Sequence, residues 1–166
     1  MPSISQEKGL QTYQNQKVGD TIHRALTLDE TKKFFKAARE RNSFYLNVFS
    51  IMIKTGMRIG EVTALYPSDI DEVNGCIHVR KTITRDEVGG YKVGDSAKTE
   101  CGNRDIPLTD EILDIINQQK LINSELFGEV DNGLIFRSSE GEILREYTLN
   151  REIRMNALQM RVKRLR

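Results

Sequence analysis

The sequence predicts an α+β domain, mainly helical, with a small three-stranded antiparallel sheet and a short hairpin. Three observations predict it. Apolar residues recur at helical spacing from Leu28 to Leu65, the period changes to alternation from Ile77 to Ile83, and helical spacing returns at Ile112. The chain of 166 residues is long enough for one domain with its own core.

Residues 1 to about 24 are polar and rich in Gln, with no sustained period, and are expected to be a tail or interdomain linker; the folded domain is expected over 25–166. Thr27 and Glu30 have capping-box spacing, so a helix should follow Thr27 and end near Arg41-Asn42, burying Leu28, Phe34, Phe35 and Ala38. A second helix should start at Ser43. Its apolar residues Phe44, Tyr45, Leu46, Val48, Phe49, Ile51 and Met52 almost surround it, so it should be central, and Gly56 suits its C-terminal cap. A short third helix should carry Ile59, Val62 and Leu65 on one stripe, with Pro67 beyond its end.

After the Asn74-Gly75 turn signal, Ile77, Val79 and Ile83 alternate with His78, Arg80, Thr82 and Thr84 in one predicted strand. A loop with Gly89, Gly90 and Gly94 should lead to a second stretch at Ser96 to Lys98; from Asp86 to Lys98 this segment should open easily. A third strand is expected from Arg104 to Leu108, and Thr109 should cap a helix that uses Ile112, Leu113, Ile115 and Ile116. Leu134-Ile135-Phe136 and Ile143-Leu144 flank a turn and predict a hairpin. The last helix runs from Thr148, with Leu149, Ile153, Ala157 and Met160 as its inner side.

No apolar run approaches the ~20 residues of a membrane span. The N-terminus lacks the basic-then-apolar pattern of a secretory signal, and a cytoplasmic location is expected. Two cysteines, Cys76 and Cys101, give no disulfide framework, and with only His23 and His78 as histidines no metal and no cofactor are expected. The net charge of +1 conceals an asymmetry: 145–166 carries +5 and the rest −4. A basic end on a mildly acidic body points to a polyanion, although a solvated helix face has the same composition.

The most informative stretch is Thr55-Gly56-Met57-Arg58-Ile59-Gly60-Glu61, continued by Val62-Thr63-Ala64-Leu65 and Asp69-Ile70-Asp71. A Gly ends one helix and puts Arg58 at the first turn of the next, where a guanidinium can clamp a phosphate; Glu61, three residues on, can orient it. An Arg–Glu pair at this spacing is common on helix surfaces, and the flanking residues are what single this one out. The stretch resembles the Arg box of the tyrosine recombinase, or phage integrase, family. Ala97-Lys98-Thr99 with Arg104-Asp105-Ile106-Pro107-Leu108 resembles the same family's K-T-x-x-x-x-R-x-I-P-L hairpin. The likeness covers Ala25 to about Leu165.

The resemblance implies double-stranded DNA as substrate, further recombinase protomers as partners, and a metal-free reaction. A tyrosine hydroxyl attacks a phosphodiester and becomes linked to the 3′-phosphate, while Arg and Lys side chains stabilise the growing charge. It implies catalytic roles for Arg58 and Lys98, a supporting role for Glu61, and DNA contacts from Arg58, Lys98, Arg104, Arg151 and Arg154. It also implies an H-x-L-R-H box and a nucleophilic Tyr after the last helix. No His follows His78, and Tyr13, Tyr45, Tyr66, Tyr91 and Tyr147 all lie outside that pattern, so none is assigned as nucleophile. The sequence is therefore expected to be a piece of an integrase catalytic domain, inactive alone. The alternatives are a non-catalytic DNA-binding or regulatory short form of a mobile-element recombinase, and a folded remnant.

Overall fold

A computed structural model describes residues 26–41, 43–95, 103–128 and 133–162. The expected linker over 1–24, the stretch Ser96 to Lys98 and Cys101 lie outside the described residues. The chain runs α1 (Leu28–Glu40), α2 (Leu46–Thr55), α3 (Ile59–Val62), a 3-10 turn (Pro67–Asp69), β1 (Ile70–Asp71), β2 (Cys76–Val79), β3 (Lys81–Arg85), β4 (Tyr91–Asp95), β5 (Arg104–Pro107), α4 (Asp110–Phe127) and α5 (Glu146–Val162). It is an α+β domain, as the period changes imply. None of the described helices is long and apolar enough to cross a membrane.

Local chemistry accounts for the helix ends. The Thr27 hydroxyl accepts from the Glu30 backbone N–H at 3.2 Å, and the Glu30 carboxylate accepts from the Thr27 N–H at 2.9 Å. Thr109 caps α4 through a 3.3 Å bond from the Ile112 N–H. Gly56 ends α2 in the left-handed region at φ 67°, its N–H donating to the Met52 carbonyl at 2.9 Å. A Cβ at Gly56 would meet nothing within 4 Å, so Gly56→Ala would carry only the backbone cost of a positive φ. We expect it to lower unfolding stability by about 1 kcal/mol in urea denaturation; an unchanged midpoint would contradict this.

The core gathers one face from each layer. Phe34 of α1 meets Phe49 of α2 edge-on at 5.3 Å, and Ile51, Val62, Ile77, Ile116, Phe136 and Leu149 are fully enclosed around them. Burying one such side chain contributes roughly 1.5–3 kcal/mol. Polar bonds fix the helices that flank this core. Asn47 of α2 donates to Gln119 of α4 at 3.2 Å, and Asn123 of α4 holds the Ile135 carbonyl at 2.8 Å. Arg41, at the end of α1, donates to Asn156 of α5 at 2.6 Å.

Several expectations need correction. Leu28, expected in the core, is the first residue of α1 and 71% exposed, because the buried stripe of this helix is Phe34, Ala37 and Ala38. Ala157 faces solvent and Asn156 takes its place inside α5, because seven positions from Leu149 is the inward-facing site. The single strand expected from Ile77 to Ile83 is two strands in two sheets. β1, β2 and β5 form one sheet in the order β1-β2-β5, while β3 and β4 pair apart from it. Arg80 separates them: its guanidinium donates to the carbonyls of Val79 and Arg104, at 3.1 and 2.6 Å, where the ladder stops. The expected Gly-rich loop is itself a hairpin. Gly89 and Gly90 lie in its turn, the Asp86 carboxylate accepts from the N–H groups of Val88 and Gly90 at 3.0 and 2.6 Å, and Gly94 lies within β4 opposite Thr82. The later expected hairpin is reduced to one bridge, Arg137 to Ile143, around the turn at 138–141.

Candidate functional site

Glu61 is the centre of the polar site. It lies in α3, its side chain is 2% exposed, and both carboxylate oxygens are used. Oε2 accepts from the Arg58 backbone N–H at 2.8 Å and so caps the short helix. Oε1 accepts from the Arg58 guanidinium at 3.3 Å. Arg104 of β5 then closes on the same carboxylate with two bonds, 3.0 Å to Oε1 and 2.8 Å to Oε2, in the fork geometry that suits a guanidinium. Burial would push the Glu61 carboxyl up. The Arg104 hydrogen bonds, the Arg58 backbone bond and the two guanidinium charges outweigh that and hold it below its ordinary value. The Arg104 guanidinium is correspondingly raised, first through its bonds to Glu61.

This gives the two arginines different freedom. Arg104 is locked. Arg58 has one nitrogen on Glu61 and a side chain that is 81% exposed, so most of its donors face outward. Glu61 was the expected partner of Arg58. Its firmer partner, Arg104, was not expected, because 43 residues separate them and no local pattern joins the two motifs. α3 spans only four residues, so a helix-end field adds little here and the side chains carry the site.

Asp69 and Asp71 of the first motif hold local structure. Asp69 is buried; it accepts from the Tyr66 N–H at 2.9 Å and forms an ion pair with Lys81. Asp71 closes the turn before β2 through the Asn74 N–H at 2.8 Å. Lys98 lies outside the described residues. Arg151 and Arg154 are exposed on α5, and among the described residues neither forms a bond to the Glu61 group.

Two further clusters escaped the sequence reading. Tyr91 of β4 lies between Arg85 and Arg145, whose guanidinium carbons are 5.7 and 5.3 Å from its ring, which brings the β3–β4 hairpin beside the start of α5. Tyr147, in the first turn of α5, is 72% exposed. The second cluster lies on the outer face of the three-stranded sheet. His78 Nδ1 is 2.9 Å from Asp105, and its Nε2 is 3.6 Å from Asp71. The Asp105 bond raises the His78 imidazole's pKa most, and His78 and then Arg80 lower Asp105. Two histidines as far apart in sequence as His23 and His78 point away from a metal site, yet Cys76 stands two residues before His78 on the same strand face.

The sequence model of the Phage integrase family matches residues 24–165. Over 104 residues the chain is 31% identical to the integrase of Staphylococcus phage L54a, covering 60% of this chain and 29% of that protein. It is 30% identical over 95 residues to the transposase from transposon Tn916 of Enterococcus faecalis, covering 55% of this chain and 23% of the relative. In fold it is similar to a Tn1549 transposon integrase in complex with a circular intermediate DNA, with a TM-score of 0.65 and 21% identity over 82% of this chain and 46% of that one. XerA recombinase gives a TM-score of 0.59 at 23% identity, over 88% of this chain and 45% of its own. The chain thus spans less than a third of each of these two curated relatives and less than half of each solved structure. With the Arg box built around Glu61 and a family match over nearly its whole length, the chain belongs to the phage integrase family of tyrosine recombinases.

Proposed function

We propose that this chain supplies the phosphate-binding part of an integrase active site. Its substrate is double-stranded DNA, which the complete enzyme breaks and rejoins through a phosphotyrosyl intermediate for DNA integration and recombination. One observation carries this reading: Arg58 is anchored by a buried carboxylate at one end and open to solvent at the other. A group held this way can meet a phosphate without losing its orientation, which is the requirement for preorganised charge stabilisation. The circular intermediate DNA bound by the similarly folded Tn1549 integrase supports the substrate class.

In this reading a tyrosine hydroxyl attacks the phosphorus, the phosphotyrosyl bond forms, and the 5′-oxygen leaves. Arg58 stabilises the charge on the non-bridging oxygens, Lys98 delivers a proton to the leaving oxygen from its segment between β4 and β5, and Glu61 holds Arg58 in place. Arg104 sets Glu61 and offers its outward N–H to the DNA backbone, and Arg151 and Arg154 add phosphate contacts. The nucleophile is assigned to none of Tyr45, Tyr66, Tyr91 and Tyr147, because none of them follows an H-x-x-R pattern. Other protomers complete the assembly, and action on cellular DNA places the work in the cytoplasm.

DNA binding by this chain should be weak and largely independent of sequence. With about 4–6 phosphates neutralised, the slope of log K against log salt should be roughly −4 to −5. Fluorescence anisotropy with a short duplex across a salt series checks this. Binding that persists unchanged at high salt would contradict it.

A further inference from the structure

We propose that Asp71, Cys76 and His78 form a binding site for one divalent cation of zinc-like chemistry on the outer face of the three-stranded sheet, with Asp105 holding the imidazole in register. The register of the sheet builds it. Ile77 and Val79 point into the core at 0% and 1% exposure, so Cys76 and His78 both point outward. Asp71 of β1 is paired with Cys76, and Asp105 of β5 is paired with His78, so both carboxylates share that outer face. Directly opposed residues of an antiparallel pair have Cβ atoms about 4.5–5.5 Å apart. One donor atom from each of Asp71, Cys76 and His78 lies within 4.8 Å of the other two.

The chemistry of this donor set is selective. A tetrahedral zinc ion takes a thiolate sulfur at about 2.3 Å and imidazole nitrogen or carboxylate oxygen at about 2.0–2.2 Å. Small side-chain rotations bring three half-buried donors to those distances, and the fourth position stays open to water. His78 presents both nitrogens to the cluster. Nδ1 lies 2.9 Å from Asp105 and 4.0 Å from the Cys76 sulfur, and Nε2 lies 3.6 Å from Asp71. A carboxylate on the far nitrogen is the usual support of a metal-ligating imidazole. Arg80 donates to the same Asp105 oxygen at 2.6 Å and fixes that carboxylate in turn. A hard cation such as Mg²⁺ would find a thiol and an imidazole where it needs oxygens, so the site favours Zn²⁺ or Co²⁺ over Mg²⁺. The ion would clip β1, β2 and β5 together and so steady the strand that carries Arg104. This inference is independent of the DNA reading.

The test is a Co²⁺ titration of the reduced, chelator-stripped chain, followed by optical spectroscopy. A thiolate-to-cobalt charge-transfer band should appear, saturate at one equivalent, and vanish when Zn²⁺ is added. Cys76→Ser should abolish that band; Asp71→Asn and His78→Gln should each weaken binding at least tenfold. Cys101→Ser, which changes the other cysteine, should leave it intact. Zn²⁺ at 100 times its Kd should raise the Tm of the unsubstituted chain by about 5 °C. The titration and Tm shift of the Cys101→Ser chain hold even where a ligand variant fails to fold. Absence of a saturable band in the unsubstituted chain, or its survival in Cys76→Ser, would overturn the proposal.

Discussion

Lysine in place of Arg58 should slow DNA strand cleavage by about 10²–10³-fold in an integrase that contains this chain together with its nucleophile. The charge is retained, so an effect of charge alone would be small. What changes is geometry. The planar guanidinium bonds Glu61 with one nitrogen at 3.3 Å and keeps its other donors for a phosphate, whereas an ammonium is a point charge without that fork. With its side chain 81% exposed, Arg58 adds little to the core. Folding stability should therefore stay within about 0.5 kcal/mol. Single-turnover trapping of covalent product on a suicide substrate, with urea denaturation of the same protein, separates the two effects. Near-normal cleavage would defeat the assigned role.

Alanine in place of Glu61 should act on the fold. The carboxylate accepts four hydrogen bonds, from the Arg58 backbone, the Arg58 side chain and twice from Arg104. Removing one partner of a buried pair costs about 3–5 kcal/mol. Arg58 and Arg104 have side chains 81% and 34% exposed and can turn to water, so the cost falls below that range, at about 2–3 kcal/mol. Acid should have the same sense. The Glu61 carboxyl is held below its ordinary 4.5, so its stabilising contribution is fully present above that value and is lost as pH falls through the lowered one. The stability difference between the unsubstituted chain and Glu61→Gln should thus shrink below about pH 4.5. Urea denaturation at neutral and acid pH measures both effects. A Glu61→Ala chain as stable as the original would show that the buried carboxylate does not hold α3 to β5.

The sequence made the local features legible. The caps at Thr27, Gly56 and Thr109 depend on atoms three or four residues apart, and each is where its pattern places it. The pairing of Arg58 with Glu61 is local in the same way. What stayed hidden involves a change of partner or a long chain separation. Alternation from Ile77 to Ile83 fixes which side chains share a face, but it carries no sign that Arg80 breaks the ladder and sends Ile83 to pair with Val93. Tyr91–Asp95 reads as loop because Gly94 and the charged Lys92 and Asp95 hide a strand whose partner supplies the pattern. Asn156 stands inside α5 where apolar identity pointed to Ala157, because Arg41 of α1 supplies its hydrogen bond. The Arg104–Glu61 fork joins two motifs that each looked complete alone.

The central claim is that Arg58, held from behind by Glu61, meets a DNA phosphate. Salt dependence of duplex binding tests it most directly. The slope of log K against log salt should be measured for the unsubstituted chain and for Arg58→Gln under identical conditions. Losing one phosphate contact should reduce the magnitude of the slope by about one and weaken binding nearly equally for unrelated sequences. An Arg58→Gln chain that keeps both the slope and the affinity of the original would contradict the claim.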